Sequence, residues 1–340
     1  MKHKNVPVFI PHMGCPNSCV FCNQRRISGK MKFDIHSVEG ELENELSTVD
    51  GDSCDAEIAF FGGSFTGIDR GDMLYLLGLA KRNVDSGRVR AIRLSTRPDY
   101  IDKEILDILK AYGVTDIELG LQSMSDKVLA AAKRGHSAET ARAACRLIKS
   151  SGFNLVGQMM IGLPESTAED EVNTAKEIVS LRCDAARIYP TVVFCETELA
   201  DMTQNGDYIP LSIEDAIERS ADVLRVFTEN NVPVIRLGLC AADNLFEEGT
   251  MAGGAYHSAF GEMVYSRLYY MSLEEFIKKN SLADKMSGRD ITVYCPPGEV
   301  SKVSGQKKEN KEKLRAKYGV RSVRIVEREG LEKYNVEIWV

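Results

Sequence analysis

The chain has 340 residues, an ordinary apolar fraction of 44% and a formal net charge of −7 at pH 7. This length suits one large domain with an appendage, and the acidic balance excludes a protein that coats nucleic acid by bulk attraction. Residues 6–10 are too few for a signal-peptide core, and no stretch approaches the ~18 apolar residues that a membrane span needs. We therefore expect a soluble protein of the cytoplasm.

Short β-like runs alternate with amphipathic helical runs from about residue 6 to residue 238. The predicted strands lie at 6–10, 57–61, 91–96, 116–121, 154–161, 185–189 and 234–237, and the predicted helices lie near 37–48, 70–85, 102–112, 125–133, 137–151, 167–181 and 212–230. This alternation is typical of βα units around a parallel sheet. The predicted fold class is α/β, a partial (β/α)6-type barrel with ligands at the carboxyl ends of its strands.

The pattern changes after Gly238. Residues 241–285 begin rich in Gly, Ala and Tyr, and they predict a loop-rich cover followed by a helix that ends near 280. A small α+β unit is predicted for residues 286–340, with a strand at 291–295, a basic helix near 307–318, and strands at 322–326 and 334–340. The predicted division is therefore a core of 1–240, a cover of 241–285 and a small C-terminal domain of 286–340.

Three of the nine cysteines lie within eight residues, in Cys15-Pro-Asn-Ser-Cys19-Val-Phe-Cys22, directly after the first predicted strand. Cysteines without an export signal indicate reduced thiols or a metal rather than disulfides. Three thiolates can hold three irons of a cubane cluster and leave the fourth iron open, whereas an electron-transfer cluster normally takes four cysteines. Zinc and three unrelated thiols are the alternatives. His12 lies close by, but nothing completes the second half of a zinc site.

This spacing, with Phe21 before the last cysteine, resembles the signature of the radical S-adenosylmethionine superfamily. The resemblance implies a [4Fe–4S] cluster on Cys15, Cys19 and Cys22, with the amino and carboxylate groups of S-adenosylmethionine on the open iron and Phe21 near the adenine. It also implies reductive cleavage to methionine and a 5′-deoxyadenosyl radical, with the electron supplied by a donor such as flavodoxin or ferredoxin. The cofactor carries that chemistry, and the protein supplies orientation and a dry pocket.

A glycine pair follows the second predicted strand, in Gly62-Gly63-Ser64. In the superfamily a similar turn binds the methionine amino group through backbone carbonyls, and paired glycines let a backbone approach a ligand closely. A Gly-Gly pair is a weak signal by itself, but its position at the end of the second strand strengthens the resemblance.

Polar side chains at the ends of later strands are further candidates for cofactor contacts. They are Ser95, Arg97, Glu118, Gln122, Gln158, Arg187 and Tyr189. Glu118 and Gln122 suit ribose hydroxyls or the methionyl end of the cofactor, and Arg97 suits its carboxylate. The alternative for each of them is a polar network inside the barrel.

Over about residues 5–240 the chain is similar to the radical domain of the Elongator catalytic subunit and its bacterial relatives. The motifs that carry this similarity include Ser95-Thr96-Arg97-Pro98-Asp99, Arg134-Gly135-His136 and Tyr189-Pro190-Thr191. Family members with the full architecture attach a carboxymethyl-type group to the wobble uridine of transfer RNA, using acetyl-coenzyme A. Residues 241–340 are too few for an acetyltransferase domain, so the acetyl-coenzyme A step is not carried over. We predict a radical enzyme that acts in transfer RNA modification.

The C-terminal segment is locally basic, with nine basic and two acidic residues from 302 to 324. It is similar to a KH-type unit, which clamps a nucleic-acid backbone with a GxxG loop ahead of a helix. The residues predicted to contact RNA are Lys302, Gly305, Lys307, Lys308 and Lys311. The second glycine of the loop is replaced by Lys308, which adds attraction to phosphate. The alternative is a small cap with a solvated basic helix face.

Tyr256 and His257 are the candidates for catalytic contact with substrate. His136 is expected to cap a helix or lie at the surface, with contact to substrate as the alternative. Cys145 and Cys183 are expected to be small buried core residues. Two other functions stay open: a radical oxidoreductase on a small molecule, like coproporphyrinogen oxidase, and a non-catalytic iron–sulfur protein that binds RNA.

Overall fold

The computed structural model describes residues 2–10, 13–15, 19–23, 33–47, 54–239 and 249–340. The chain forms two compact units, the first of residues 1–212 and 226–256 and the second of residues 213–225 and 257–340. The predicted boundaries at 240 and 285 divide the chain differently, and that division stays a prediction. None of the helices in the described segments is long and apolar enough to cross a membrane.

The first unit is built on a parallel sheet of seven strands in the order β1-β2-β3-β4-β5-β6-β8. A separate antiparallel pair joins β7 to β9. The strands are β1 Lys2–Ile10, β2 Cys54–Gly62, β3 Ala91–Thr96, β4 Val114–Gln122, β5 Asn154–Ile161, β6 Ala185–Pro190, β7 Val192–Phe194, β8 Val234–Leu237 and β9 Met251–Gly254. The seven parallel strands confirm the predicted partial barrel.

Helices follow the strands of the sheet, as the amphipathic pattern predicted. They are α1 Val38–Ser47, α2 Arg70–Asp85, α3 Lys103–Ala111, α4 Asp126–Ala131, α5 Ala138–Ser150, α6 Ala168–Ser180, α7 Glu198–Asn205 and α8 Ile213–Glu229. Their starts are fixed by side chains that accept backbone N–H groups, such as Asp102 before α3, Ser137 before α5 and Thr167 before α6. Sequence reasoning missed α7 and the β7–β9 pair.

Apolar side chains on both faces of the sheet form the core, as expected for strands covered on both sides. Ile58, Ile92, Leu94 and Leu155 are completely buried. Because the strands are parallel, their carboxyl ends lie along one edge, where the polar candidates are brought together.

The second unit contains a three-stranded sheet in the order β11-β10-β12. The strand β10 is parallel to β11 and antiparallel to β12. Besides residues 213–225, its elements are α9 Phe260–Lys279, α10 Ala283–Met286, β10 Asp290–Cys295, α11 Val300–Ser304, α12 Glu309–Tyr318, β11 Ser322–Glu327 and β12 Glu337–Trp339. The expected small α+β fold is confirmed.

Two predicted elements of this unit are shorter than expected. The basic helix begins at Glu309, because Lys307 and Lys308 have φ angles of 51° and 68°, which a right-handed helix does not admit. The last strand does not begin at Tyr334, whose φ is also 68°. The Tyr334 ring packs 5.2 Å from the ring of Tyr269, and that packing favours a turn at this position. The short helix α11 was not predicted.

Candidate active site

The described part of the cysteine loop, residues 13–15 and 19–22, is braced against the glycine turn, residues 62–67, by direct backbone packing at residues 13 and 14. A Cβ atom on Gly63 would lie 2.0 Å from the carbonyl oxygen of Met13, and a Cβ on Gly14 would lie 2.1 Å from that of Ser64. The Ser64 N–H also donates to the Met13 carbonyl at 3.0 Å. Neither glycine can carry a side chain here, so the two motifs hold each other in place.

The later part of the cysteine loop is attached to two helical regions. Val20 N–H donates to the carbonyl of Ala132 at 3.2 Å, and the Val20 carbonyl accepts from Leu199 N–H at 2.8 Å. Cys19 is buried, while Cys15 and Cys22 are half-buried, and none of these three is in a disulfide. The position of the three thiols at the mouth of the sheet stays a prediction from their place after β1.

Arginine side chains lie beside these thiols. Arg134 Nη1 donates to Cys19 Sγ at 3.2 Å. Arg97 makes two hydrogen bonds of 2.9 Å with the Asp99 carboxylate and a third with the Arg134 carbonyl oxygen. Burial raises the pKa of the Cys15 thiol, and the charges of Arg97 and Arg134 oppose that rise. The two arginines therefore oppose the effect of burial on Cys15 but do not outweigh it.

The donor set of the loop fits an iron–sulfur cluster. Among the described residues, no three His, Cys, Asp or Glu side chains lie close enough together to hold a single metal ion. In a cubane, however, each cysteine binds a different iron, so the sulfurs stand further apart than around one ion. Three thiols with two neighbouring cations match thiolate ligation. His12, the nearby candidate for a zinc ligand, lies outside the described residues.

Hydrogen bonds between side-chain hydroxyl groups hold the glycine turn in place. Thr96 Oγ1 lies 2.9 Å from Ser64 Oγ and 2.6 Å from Thr66 Oγ1, and Thr66 also donates to the Tyr100 carbonyl. Ser64 Oγ accepts from the Arg97 N–H at 3.3 Å. The predicted cofactor residue Ser64 is thus engaged inside the protein, and the contact of Gly62 and Gly63 with the cofactor stays a prediction.

Glu118 is the centre of a charged network across the sheet, formed by Glu57, Arg93, Glu118 and Arg187. Its Oε1 accepts from Arg93 Nη1 at 3.0 Å and from Arg187 Nη2 at 2.7 Å. Arg93 also binds Glu57, and Ser95 Oγ lies 3.5 Å from Glu118 Oε2. These four residues therefore form a polar network inside the sheet, which was the predicted alternative to a cofactor contact for Glu118 and Arg187.

Arg187 extends this network toward an aromatic pair. Its Nη1 donates to Tyr189 Oη at 3.1 Å, and its guanidinium carbon lies 5.5 Å from the centre of the Phe61 ring. Burial raises the pKa of Tyr189, and the charge of Arg187 opposes the rise.

Gln122 has the conformation of a strained site residue. It ends β4 with a φ of 66°, at a register shift, and its buried Oε1 has no hydrogen-bond partner in the described residues. A left-handed backbone on a glutamine is costly and is retained mostly at functional sites. Gln158 lies on the neighbouring β5, paired with Gly120 and Arg187, and is half-buried.

The aromatic residue of the cysteine loop packs at two apolar surfaces. Phe21 contacts the cluster of Val20, Val193, Leu199 and Tyr208, and also that of Val128, Ala132 and Leu163. The ring therefore has a structural role at the base of the loop. Its predicted contact with adenine stays a prediction.

Tyr256 and His257 belong to different units of the fold. Tyr256 packs against Val192 and Phe194. His257 Nδ1 accepts the N–H of Ala259 at 3.0 Å, which helps to begin α9. His257 thus has a structural task, and the catalytic role of either residue stays a prediction.

The basic loop, residues 305–308, joins α11 to α12. A Cβ on Gly305 would meet Ser266 and Asn310 at 3.0–3.2 Å, so this glycine is required by packing within the unit. Lys302 is paired with Glu299. By contrast, Lys307 and Lys308 are exposed and Lys311 is half-buried, and none of the three forms an ion pair with a described residue.

The burial of Arg134 and His136, which follow α4, was not predicted from the sequence. His136 was expected at the surface or as a helix cap, and the surface expectation is wrong, because its side chain is 0% exposed, with Nδ1 4.0 Å from Asp99. Burial, together with the charge of Arg134, lowers the pKa of His136 to about 4. Arg134 was predicted only as part of the Arg134-Gly135-His136 motif, and that motif was the available signal for a buried arginine beside the thiols.

Cys145 and Cys183 are buried, as predicted.

A partial parallel barrel with three cysteines after its first strand and a glycine turn after its second defines a radical S-adenosylmethionine enzyme. The chain matches the Radical SAM superfamily over residues 9–178 and the Radical_SAM C-terminal domain over residues 183–270. The protein belongs to the Radical SAM superfamily. Its radical region is similar to that of Elongator-type proteins, as the following relatives indicate.

The chain is 40% identical over 135 residues to the tRNA uridine(34) acetyltransferase of Methanocaldococcus infernus, covering 38% of this chain and 25% of that protein. It is 34% identical over 136 residues to human Elongator complex protein 3, covering 39% and 25% respectively. The match therefore spans about a quarter of the length of these relatives.

Two solved structures share the fold. The archaeal Methanocaldococcus infernus Elp3 with its N-terminus deleted has a TM-score of 0.60 at 23% identity, covering 82% of this chain and 63% of that chain. Coproporphyrinogen III oxidase from Escherichia coli has a TM-score of 0.51 at 20% identity, covering 67% and 52% respectively.

Proposed function

We propose that Cys15, Cys19 and Cys22 hold a [4Fe–4S] cluster and that the enzyme modifies RNA, with transfer RNA as its substrate. The observation that carries the proposal is the cysteine loop, braced by the glycine turn and flanked by Arg97 and Arg134. When bound, the cluster and S-adenosylmethionine supply a radical that removes a hydrogen atom from the substrate. The protein's own residues bind, orient and shield these groups.

Several groups at the carboxyl edge of the sheet are suited to hold S-adenosylmethionine. The backbone carbonyls of Gly62 and Gly63 are suited to its amino group, and the missing side chains let this turn pack directly on the backbone of Ile10 and Met13. Gln122 Oε1 has no partner among the described residues and can accept a hydrogen bond from a hydroxyl group. The buried Nη1 of Arg97 likewise has no partner in the described part of the chain, and it can bind a carboxylate. Glu118 is already shared by two arginines, so its first role is to fix the network that lines the sheet.

The RNA part of the proposal is supported by the second unit and by the names of the relatives, which include a tRNA uridine(34) acetyltransferase. Lys307, Lys308 and Lys311 are concentrated at one loop and one helix start, and no acidic side chain in the described part of the chain forms an ion pair with them. Free lysines on an otherwise acidic chain are the expected signature of phosphate contact. Gly305 shapes the loop that displays them.

The cluster is tested by anaerobic reconstitution with iron and sulfide, followed by electron paramagnetic resonance and by assay of 5′-deoxyadenosine. Cys19→Ala should lose the cubane signal and the cleavage of S-adenosylmethionine, whereas Cys145→Ala, which changes a buried cysteine away from the loop, should retain both. Bound zinc, or a normal cubane spectrum in Cys19→Ala, would contradict the assignment.

The substrate is tested with transfer RNA deuterated at its uridines, by following deuterium into 5′-deoxyadenosine. Binding of the same RNA should weaken as salt rises, and in Lys307→Gln/Lys308→Gln the slope of log K against log[salt] should be smaller by roughly 1.5 to 2. Lys278→Gln/Lys279→Gln is the matched control, because it removes two exposed lysines from the end of α9. If no RNA binds, a radical oxidoreductase acting on a small molecule is favoured.

A further inference from the structure

Arg134 is held rigidly between the cysteine loop and the sheet. Its side chain is buried, and its two terminal nitrogens donate to different groups, Nη1 to Cys19 Sγ at 3.2 Å and Nη2 to the Gly120 carbonyl at 2.8 Å. Its own carbonyl oxygen accepts from Arg97, which is fixed in turn by the Asp99 carboxylate. The guanidinium is therefore positioned both through its head group and through its backbone.

Within the described segments of the chain, no carboxylate forms an ion pair with Arg134. Among the described residues its side chain contacts one sulfur and one carbonyl oxygen, and its buried Nε has no partner. A buried cation is strongly unfavourable unless an opposite charge lies next to it. A sulfur that ligates iron carries negative charge, and the hydrogen bond to Cys19 Sγ places Arg134 where it would neutralise that charge.

From this geometry we infer that Arg134 is a positioning residue that raises the reduction potential of the cluster, an inference that rests on the proposed function. Reduction adds one electron from an external one-electron donor and takes the [4Fe–4S] core from 2+ to 1+, and no bond is made or broken. The cluster with its cysteine ligands becomes more negative by one charge on reduction. A fixed cation that donates a hydrogen bond to a ligand sulfur therefore stabilises the reduced state more than the oxidised state.

The test is the midpoint potential of the reconstituted protein, measured by dithionite titration and electron paramagnetic resonance. Arg134→Gln removes the charge, and Arg134→Lys retains it without the planar fork. We expect Arg134→Gln to reduce the equilibrium constant for reduction at least tenfold, about 59 mV for one electron, with Arg134→Lys in between. Arg146→Gln, at an exposed arginine on α5 paired with Glu139, is the matched control and should leave the potential unchanged.

Each outcome decides the matter. Equal potentials in the wild type and in both variants, at equal iron content, would overturn the inference and leave the proposed function standing. If Arg134→Gln retains no cluster, the potential of Arg134→Lys decides in the same way, a more negative value supporting the role. Loss of the cluster in both variants would assign Arg134 to holding the loop and overturn the inference. A wild type that takes up no cluster would overturn the proposed function itself.

Discussion

Replacing Glu118 by alanine should be the most destabilising single change to the charged network. Glu118 is 2% exposed, and its partners Arg93 and Arg187 have side chains that are 10% and 14% exposed. Removing one partner of a buried pair leaves an uncompensated buried charge, which costs about 3–5 kcal/mol. Glu118→Gln keeps the volume but loses two charge-assisted hydrogen bonds in part, so we expect about 2–3 kcal/mol for it.

Urea unfolding followed by circular dichroism measures this loss. With an m-value of about 3 kcal/mol/M, a loss of 3 kcal/mol moves the midpoint by roughly 1 M. Glu139→Ala is the matched control, because Glu139 also accepts hydrogen bonds from two arginines, Arg142 and Arg146, but is 69% exposed. Exposed pairs are screened by solvent, so we expect less than about 1 kcal/mol for the control.

The reasoning is refuted if Glu118→Ala costs no more than Glu139→Ala. A Glu118→Gln protein of wild-type stability that no longer binds S-adenosylmethionine would also refute it, because the primary role of Glu118 would then be contact with the cofactor.

Gly63→Ala should lower the free energy of unfolding by about 1–3 kcal/mol, because its Cβ would stand 2.0 Å from the Met13 carbonyl oxygen. Gly78→Ala, in a helix with open space around it, should instead stabilise the protein by up to ~1 kcal/mol. Equal shifts of the unfolding midpoint in Gly63→Ala and Gly78→Ala would contradict the packing argument. Acid should destabilise the protein through His136, whose pKa of about 4 lies below its ordinary 6.5 because of burial and the charge of Arg134. Below pH 6.5 the unfolded chain binds a proton that the folded chain does not, so about 3 kcal/mol of the free energy of unfolding is lost as the pH falls from 6.5 to 4. His136→Gln should make the free energy of unfolding less dependent on pH in this range. An equal pH dependence in the variant and the wild type would mean that the histidine titrates normally.

The parallel strands and the cysteine motif could be read from the sequence because their signals are local. Alternation of β-like and amphipathic runs predicted all seven strands of the large sheet, and the three cysteines lie within one short segment. The site around them depends on contacts between distant parts of the chain. Arg134 meets Cys19 across 115 positions, and no local pattern announces such a contact.

Backbone conformation was the second limit of prediction. The basic pattern of residues 307–318 is helical throughout, yet Lys307 and Lys308 adopt left-handed angles and form a loop. Gln122 takes a positive φ that its residue type does not suggest. Both departures from local preference occur at candidate functional positions, where packing with the rest of the fold overrides propensity.

The contact between residues 13–14 and 63–64 has a consequence for transplanting this centre. Because main chain touches main chain there, neither segment tolerates a methyl group, and each sets the path of the other. A chimaera that imports the cysteine segment from a homologue should also take the Gly62 to Gly67 stretch from the same donor. The two segments are distant in sequence, but they pack together as one structural unit.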